Sequence, residues 1–384
     1  MKKNFLFIVL ATIILFNLGC KKSPTEPNTG NNDTLKTSWK RIAVFEKLDI
    51  RYMIQNNNRI YVAAIDPYLT SLDTNAIRGM IFESKDGITW AKIFTTKYDV
   101  GPMAVYGDSL FIICRDSIYY YLPDQGFRGK FKPPPRVQLP EEIGDMTFYK
   151  GNLYIMGAIT APETWCVHPD GSYEIIKTIL NITSVGGAKF IKLIKGGVEK
   201  VYVRAMYGTF SYTVIWEFDG NLFHKIDSGL TEAEKNASNP SNSLAVKNDT
   251  LYAGFKSPAT VKILVDDKWQ TITDTLLYSK SAFQLNPVLK TETTALTFYG
   301  DRMFVSTQSI GVLEWLPNKG WEQMSNGLIE HPWMLDGTHK DLYVPVVFLE
   351  AFNGYLIAGY GVPGYAPWGS GLSGNYGLFI KKIN

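Results

Sequence analysis

The sequence predicts an all-β fold, a seven-bladed β-propeller over residues 38–384, its ring closed by an N-terminal strand (about 38–44) that completes the C-terminal blade. Two recurring landmarks and the offset between them predict it. The first is a tight polar turn followed by an apolar-aromatic strand, as in Asn58-Arg59-Ile60-Tyr61 and Gly151-Asn152-Leu153-Tyr154. Its fourth positions fall at Tyr61, Phe111, Tyr154, Tyr202, Tyr252, Phe304 and Ile357, spaced 50, 43, 48, 50, 52 and 53 residues apart. A period near 50 residues is the size of one four-stranded blade.

The second landmark is an aromatic residue that opens a short strand after a turn: Trp39, Trp90, Phe127, Tyr173, Phe223, Trp269 and Trp321. Each landmark occurs seven times, but Trp39 precedes every copy of the first, and the last repeat ends early in the strand Gly377-Leu378-Phe379-Ile380-Lys381-Lys382-Ile383. The strand around Trp39 therefore supplies what the seventh repeat lacks, which joins the chain ends and leaves no blade incomplete. Within the repeats, runs rich in Tyr, Phe, Val and Ile alternate with turn residues and no helical period persists. One helical turn is expected, near Thr231–Lys235, inside a loop. Aromatic residues make up 14% of the chain, which suits packing between blade faces.

In the first repeat, Ser84-Lys85-Asp86-Gly87-Ile88-Thr89-Trp90 resembles the Asp-box of the BNR, or sialidase-like, propellers. The Asp-Gly pair turns the chain, the Ser84 and Asp86 side chains can bond turn amides, and Trp90 packs between strands. The resemblance implies that Ser84, Asp86, Gly87, Thr89 and Trp90 are structural and that no catalytic residue is carried over. Other repeats keep pieces of the pattern, such as Asp170-Gly171 and Asp219-Gly220.

The N-terminus reads as an export signal at 1–19: Lys2 and Lys3, an apolar run from Phe5 to Phe16, then Leu18-Gly19-Cys20. This segment resembles a bacterial lipoprotein signal. The resemblance implies acylation at Cys20, palmitate among the chains, and a membrane contact made through that lipid. Lys21 after the cysteine implies the outer membrane of the cell envelope. Residues 20–37 are polar and rich in Pro, Asn and Thr, and form a flexible tether. The formal charge is +3, and loss of Lys2 and Lys3 leaves +1, so nucleic acid is not an expected partner. Cys114 and Cys166 lie in separate strand-like runs and read as two buried thiols.

Turns within each repeat are uniformly tight, whereas residues 66–79, 130–144, 230–242, 275–292, 329–345 and 360–376 are long and share the opposite face. Loops on a rigid scaffold carry binding residues, so Tyr360, Tyr365, Trp368 and Tyr376, with His331, Trp333, Asp336 and His339, are the candidate ligand contacts. Planar aromatics beside polar groups suit a glycan or peptide. The histidines have no metal-ligand spacing, and neither a metal nor a cofactor is expected.

Three function classes follow. A binding module for a glycan, peptide or protein leads, a scaffold in an outer-membrane assembly comes second, and a glycoside hydrolase or lyase third. A sialidase needs an arginine cluster, but the chain has nine arginines, with Arg59 and Arg302 in tight turns. No nucleotide loop, nucleophile elbow or zinc signature is present, so the chain is expected not to be an enzyme.

Overall fold

The computed structural model describes residues 38–69, 76–115, 117–132, 143–157, 163–176, 185–207, 212–235, 243–255, 260–273, 293–307, 310–330, 343–360 and 377–383, without the side chains of 185–188 and 205–214. These residues form seven four-stranded antiparallel sheets. After β1 (Lys40–Arg41), the first six sheets are β2–β5 (Asp49–Thr96), β6–β9 (Met103–Phe131), β10–β13 (Ile143–Ile176), β14–β17 (Val185–Lys225), β18–β21 (Leu244–Thr271) and β22–β25 (Thr293–Gln323). The seventh combines β26 (Phe348–Phe352), β27 (Tyr355–Tyr360) and β28 (Gly377–Lys382) with β1.

Ring closure is as the offset of the landmarks predicts. Lys40 pairs with Ile380 and Arg41 with Phe379, so β1 is the outer strand of the C-terminal blade. Trp39 anchors it, with its indole N–H donating to the Met324 carbonyl at 2.6 Å and its backbone N–H to Asn326 at 2.8 Å.

The second strands of the blades are apolar on both faces because neighbouring blades cover both sides of them, whereas the outer strands carry exposed polar residues. On β3 (Arg59–Ile65), Ile60, Val62 and Ala64 pack against the seventh blade, and Tyr61, Ala63 and Ile65 against the second. This period-two division recurs around the ring, and a hydrophobic cluster fills each blade-to-blade interface. A stripe that faced solvent on one side would instead alternate with polar residues.

The first and second strands of each blade are joined by two-residue turns. Lys150-Gly151, Gly196-Gly197, Asn248-Asp249 and Asn353-Gly354 have both central residues at positive φ, the handedness that matches the twist of a hairpin. The helical turn expected near residue 231 is α1 (Glu232–Lys235). Thr231 and Glu234 cap it reciprocally, with Glu234 N–H donating to Thr231 Oγ1 and Thr231 N–H to Glu234 Oε2. Cys114 and Cys166 are both buried, on separate blades, matching the sequence reading. No helix of the described residues is long and apolar enough to cross a membrane.

Candidate functional site

Every blade starts with its innermost strand, so seven first strands surround the ring axis. Between them lies a cavity of about 540 Å³. Its lining includes Tyr52–Gln55, Lys189–Lys192, Leu244–Val246, Leu296–Phe298 and Glu350–Ala351. Several of these stretches end one residue before the strand does, so the cavity occupies the half of the ring nearer the tight turns. That half lies away from the face that the long loops nominate.

Four first strands contribute a linked polar cluster. The Tyr52 hydroxyl donates to Asp145 Oδ1 on the third blade, bridging past the short β6 (Met103–Tyr106). The other Asp145 oxygen accepts the Phe190 backbone N–H at 2.6 Å. Lys189 Nζ donates to the Tyr52 hydroxyl at 3.2 Å and lies 4.3 Å from the centre of its ring. Gln55 Nε2 donates to Glu350 Oε2 at 2.7 Å and to the Ala351 carbonyl at 3.2 Å.

A local irregularity places part of this cluster. The pairing of β2 (Asp49–Asn56) with β3 shifts between Ile50 and Tyr52, and that of β10 (Ile143–Tyr149) with β11 (Asn152–Gly157) between Ile143 and Asp145. In both strands the extra residue lies five positions before the strand end, and the same shift recurs at Thr293/Ala295. A bulge re-aims the side chain that follows it, here Tyr52 and Asp145.

Burial dominates the electrostatics. It raises the Asp145 carboxyl above its ordinary value, against the Lys189 charge and the bonds from Tyr52 and Phe190. It likewise raises Glu350, opposed by Lys189 and by the bond from Gln55. The Tyr52 hydroxyl is pushed well up by burial and by the Asp145 charge. Carboxyls held above their ordinary range also occur in acid–base catalysis. Asp145, however, is inaccessible and has both oxygens bonded to protein groups. Glu350 and Lys189 are only partly buried, and they are the charged members of the cluster that a ligand in the cavity could reach.

The Asp86 turn is held by side-chain bonds to its own backbone. Asp86 Oδ1 accepts the N–H groups of Ile88 at 2.8 Å and Thr89 at 2.7 Å, and the Ser84 hydroxyl at 3.0 Å. Ser84 Oγ accepts the Gly87 N–H at 2.8 Å, and the Trp90 indole donates to the Gly87 carbonyl at 3.1 Å. Each of these bonds is internal to the turn, and Trp90 packs edge-on against Phe45 at the interface with the seventh blade. A carboxylate closes the corresponding turns at Asp170 and Asp219 in the same manner.

Of the loop residues nominated by sequence, Tyr360 is buried, packs edge-on against Phe379 and accepts the Ile329 N–H at 3.3 Å. His331, Trp333, Asp336, His339, Tyr365, Trp368 and Tyr376 lie outside the described residues, as does Cys20. Sequence reasoning missed the axial cluster. Asp145 and Glu350 do interrupt apolar first-strand runs, but only closure of the ring shows that they approach one axis.

No family model matches the chain, and no curated protein matches it. Solved structures do. One is PorZ, a surface component of the type-IX secretion system of Porphyromonas gingivalis, at 12% identity and TM-score 0.53, covering 87% of this chain and 46% of that one. Another is the extracellular domain of a protein assigned to the hybrid two component systems of B. thetaiotaomicron, at 11% identity and TM-score 0.55, covering 91% and 40%. A third is the β-propeller domain of Cps50 (Swd1) from Myceliophteria thermophila, at 10% identity and TM-score 0.50, covering 87% and 99%. The chain spans less than half the length of the first two. At these identities the likeness is one of fold, and the fold is a seven-bladed β-propeller.

Proposed function

We propose that this chain is an exported, lipid-anchored binding module that holds a short peptide or glycan segment in the axial cavity of its ring. The observation that carries the reading is the polar cluster at that cavity, where Glu350, Lys189 and Gln55 present an acceptor, a cation and an amide beside the Tyr52 ring. Concave sites with a few convergent polar groups in an apolar wall are where small ligands bind. The anchor is Cys20, and the tether of residues 20–37 gives the ring reach from the membrane. PorZ is a surface component in its own organism, and a comparable location for this chain is part of the proposal.

The test is binding of glycan and peptide arrays by the detergent-solubilised full chain. Saturable binding lost in Glu350→Gln and Lys189→Met, but kept in Trp368→Ala, places the ligand on the axis. Loss in Trp368→Ala alone moves it to the long loops, and no retention in any array refutes a binding role toward these ligands. Cys20→Ser is expected to abolish palmitate labelling and release the chain from membranes; unchanged fractionation would refute the anchor.

A second reading, a scaffold subunit, is favoured by one observation. Tyr106, Ile194, Val198, Leu222 and Tyr299 are exposed at or beside the tight turns. Apolar groups gathered at one face suit a protein partner. Co-extraction of a stoichiometric partner that is lost in the double variant Ile194→Asp/Val198→Asp supports this reading, and recovery as a monomer rejects it.

A further inference from the structure

On the third blade, β12 (Thr164–Val167) and β13 (Tyr173–Ile176) form a hairpin in which Cys166 pairs across the strands with Glu174. His168 stands two residues after Cys166, on the same side of the chain by the two-residue period of a strand. The Cys166 Sγ, a His168 ring nitrogen and a Glu174 carboxylate oxygen all lie within 4.8 Å of one another. We propose that Cys166, His168 and Glu174 bind a borderline-soft divalent cation of the zinc class, leaving an open coordination position toward solvent.

Three features favour metal over chance proximity. The donor set is thiolate, imidazole and carboxylate, the mixture that zinc accepts. The spacing is close to what a cation requires. With bonds of roughly 2.0–2.3 Å, tetrahedral ligand atoms lie about 3.3–3.8 Å apart. His168 Nε2 and Glu174 Oε1 are already 3.7 Å apart. The remaining adjustment falls on side chains free to move, because His168 is 34% and Glu174 61% exposed while Cys166 is fixed in the blade interface.

The third feature is the support around the ligands. Asn152 Oδ1 lies 3.2 Å from His168 Nδ1. As an acceptor it holds the proton on Nδ1 and turns the Nε2 lone pair toward Glu174, the second-sphere arrangement that orients metal-bound histidines. Tyr154 on β11 is the cross-strand partner of Cys166 on the side away from Glu174, so the cysteine is held in the middle of the sheet. The site is distinct from the axial cavity, and neither depends on the other.

The experiment is titration of the full chain carrying Cys20→Ser with zinc, and with cobalt(II) as a spectroscopic probe. Expected are one zinc per chain by calorimetry and a cobalt–thiolate charge-transfer band in the near ultraviolet. Cys166→Ser is expected to abolish the band, and the surface variants His168→Ala and Glu174→Gln to weaken zinc at least tenfold with unchanged circular dichroism. Asn152→Ala is expected to weaken it about tenfold through the imidazole. Absence of saturable zinc binding, or a cobalt band that survives Cys166→Ser but not Cys114→Ala, overturns the assignment. So does zinc affinity that is unchanged in His168→Ala and Glu174→Gln.

Discussion

Asp86 shows how one carboxylate can be fully occupied by structure. Burial pushes its carboxyl up, but the amides of Thr89 and Ile88 and the Ser84 hydroxyl outweigh this and hold it below the ordinary 3.8. Asp219 is brought to about 2, first by His224 and then by the amides of Leu222 and Asn221. A depressed carboxyl contributes stability that is present above its unfolded value and is lost as pH falls through the folded one. The acid limb of the melting curve is therefore expected to fall below pH 3.8 and, for Asp219, to continue to about 2. Asp86→Asn and Asp219→Asn should each flatten that limb, as thermal melts between these values will show. At neutral pH, Asp86→Ala is expected to cost about 1 kcal/mol, comparable to losing a helix cap that satisfies the same kind of amide. Glycosidase activity abolished by Asp86→Asn in a folded protein would contradict the structural role.

Closure depends on one short element, β1, whose two paired residues are both exposed charges. Its stability comes from Trp39, which is 2% exposed and buried among Phe304, Leu328 and Leu356. Trp39→Ala is expected to cost about 3–5 kcal/mol, the range for a buried tryptophan. Gly327 completes the joint. Its φ is 89°, and a Cβ there would meet the Ser38 side chain and the Trp39 backbone. Gly327→Ala should therefore destabilise by about 1–3 kcal/mol from backbone strain, with the collision against Ser38 and Trp39 adding to it. Denaturant midpoints measure both, and a Gly327→Ala midpoint equal to wild type would show that the ends are not locked here.

At the scale of the ring, burial of charge on the axis is a liability that function can explain. Glu350 is raised by burial, so its contribution is favourable below its ordinary 4.5 and is lost as pH rises through the folded value. Glu350→Gln should then stabilise the fold at neutral pH and give no gain below about pH 4. Lys189→Met should act oppositely. It leaves Asp145 buried without its cation and costs about 3 kcal/mol, and Asp145→Asn in the same chain should recover most of that. Melting temperatures of the single and double variants across pH decide the matter; additive losses would mean that the two groups are not coupled.

Repeat number, blade size and ring closure are legible in the sequence because each rests on local chemistry repeated many times. Two-residue turns require residues that tolerate positive φ, covered strands require apolar side chains on both faces, and the offset of the second landmark from the first requires a strand from the N-terminus to be shared. The Asp86 turn is legible for the same reason, since its bonds span only residues 84–90. The axial cluster is not. Tyr52, Asp145, Lys189 and Glu350 are separated by up to 298 residues, and no periodicity relates them. They meet because seven strands converge on one axis and bulges in β2 and β10 re-aim two of the side chains. The Cys166–His168–Glu174 group lies between these cases: its residues are close in the chain, but only the β12–β13 register places the carboxylate opposite the thiol. Local turn and strand preferences thus determined the ring from sequence, while the grouping of charged side chains was decided by tertiary structure, because burial and long-range register exist only once the ring has closed.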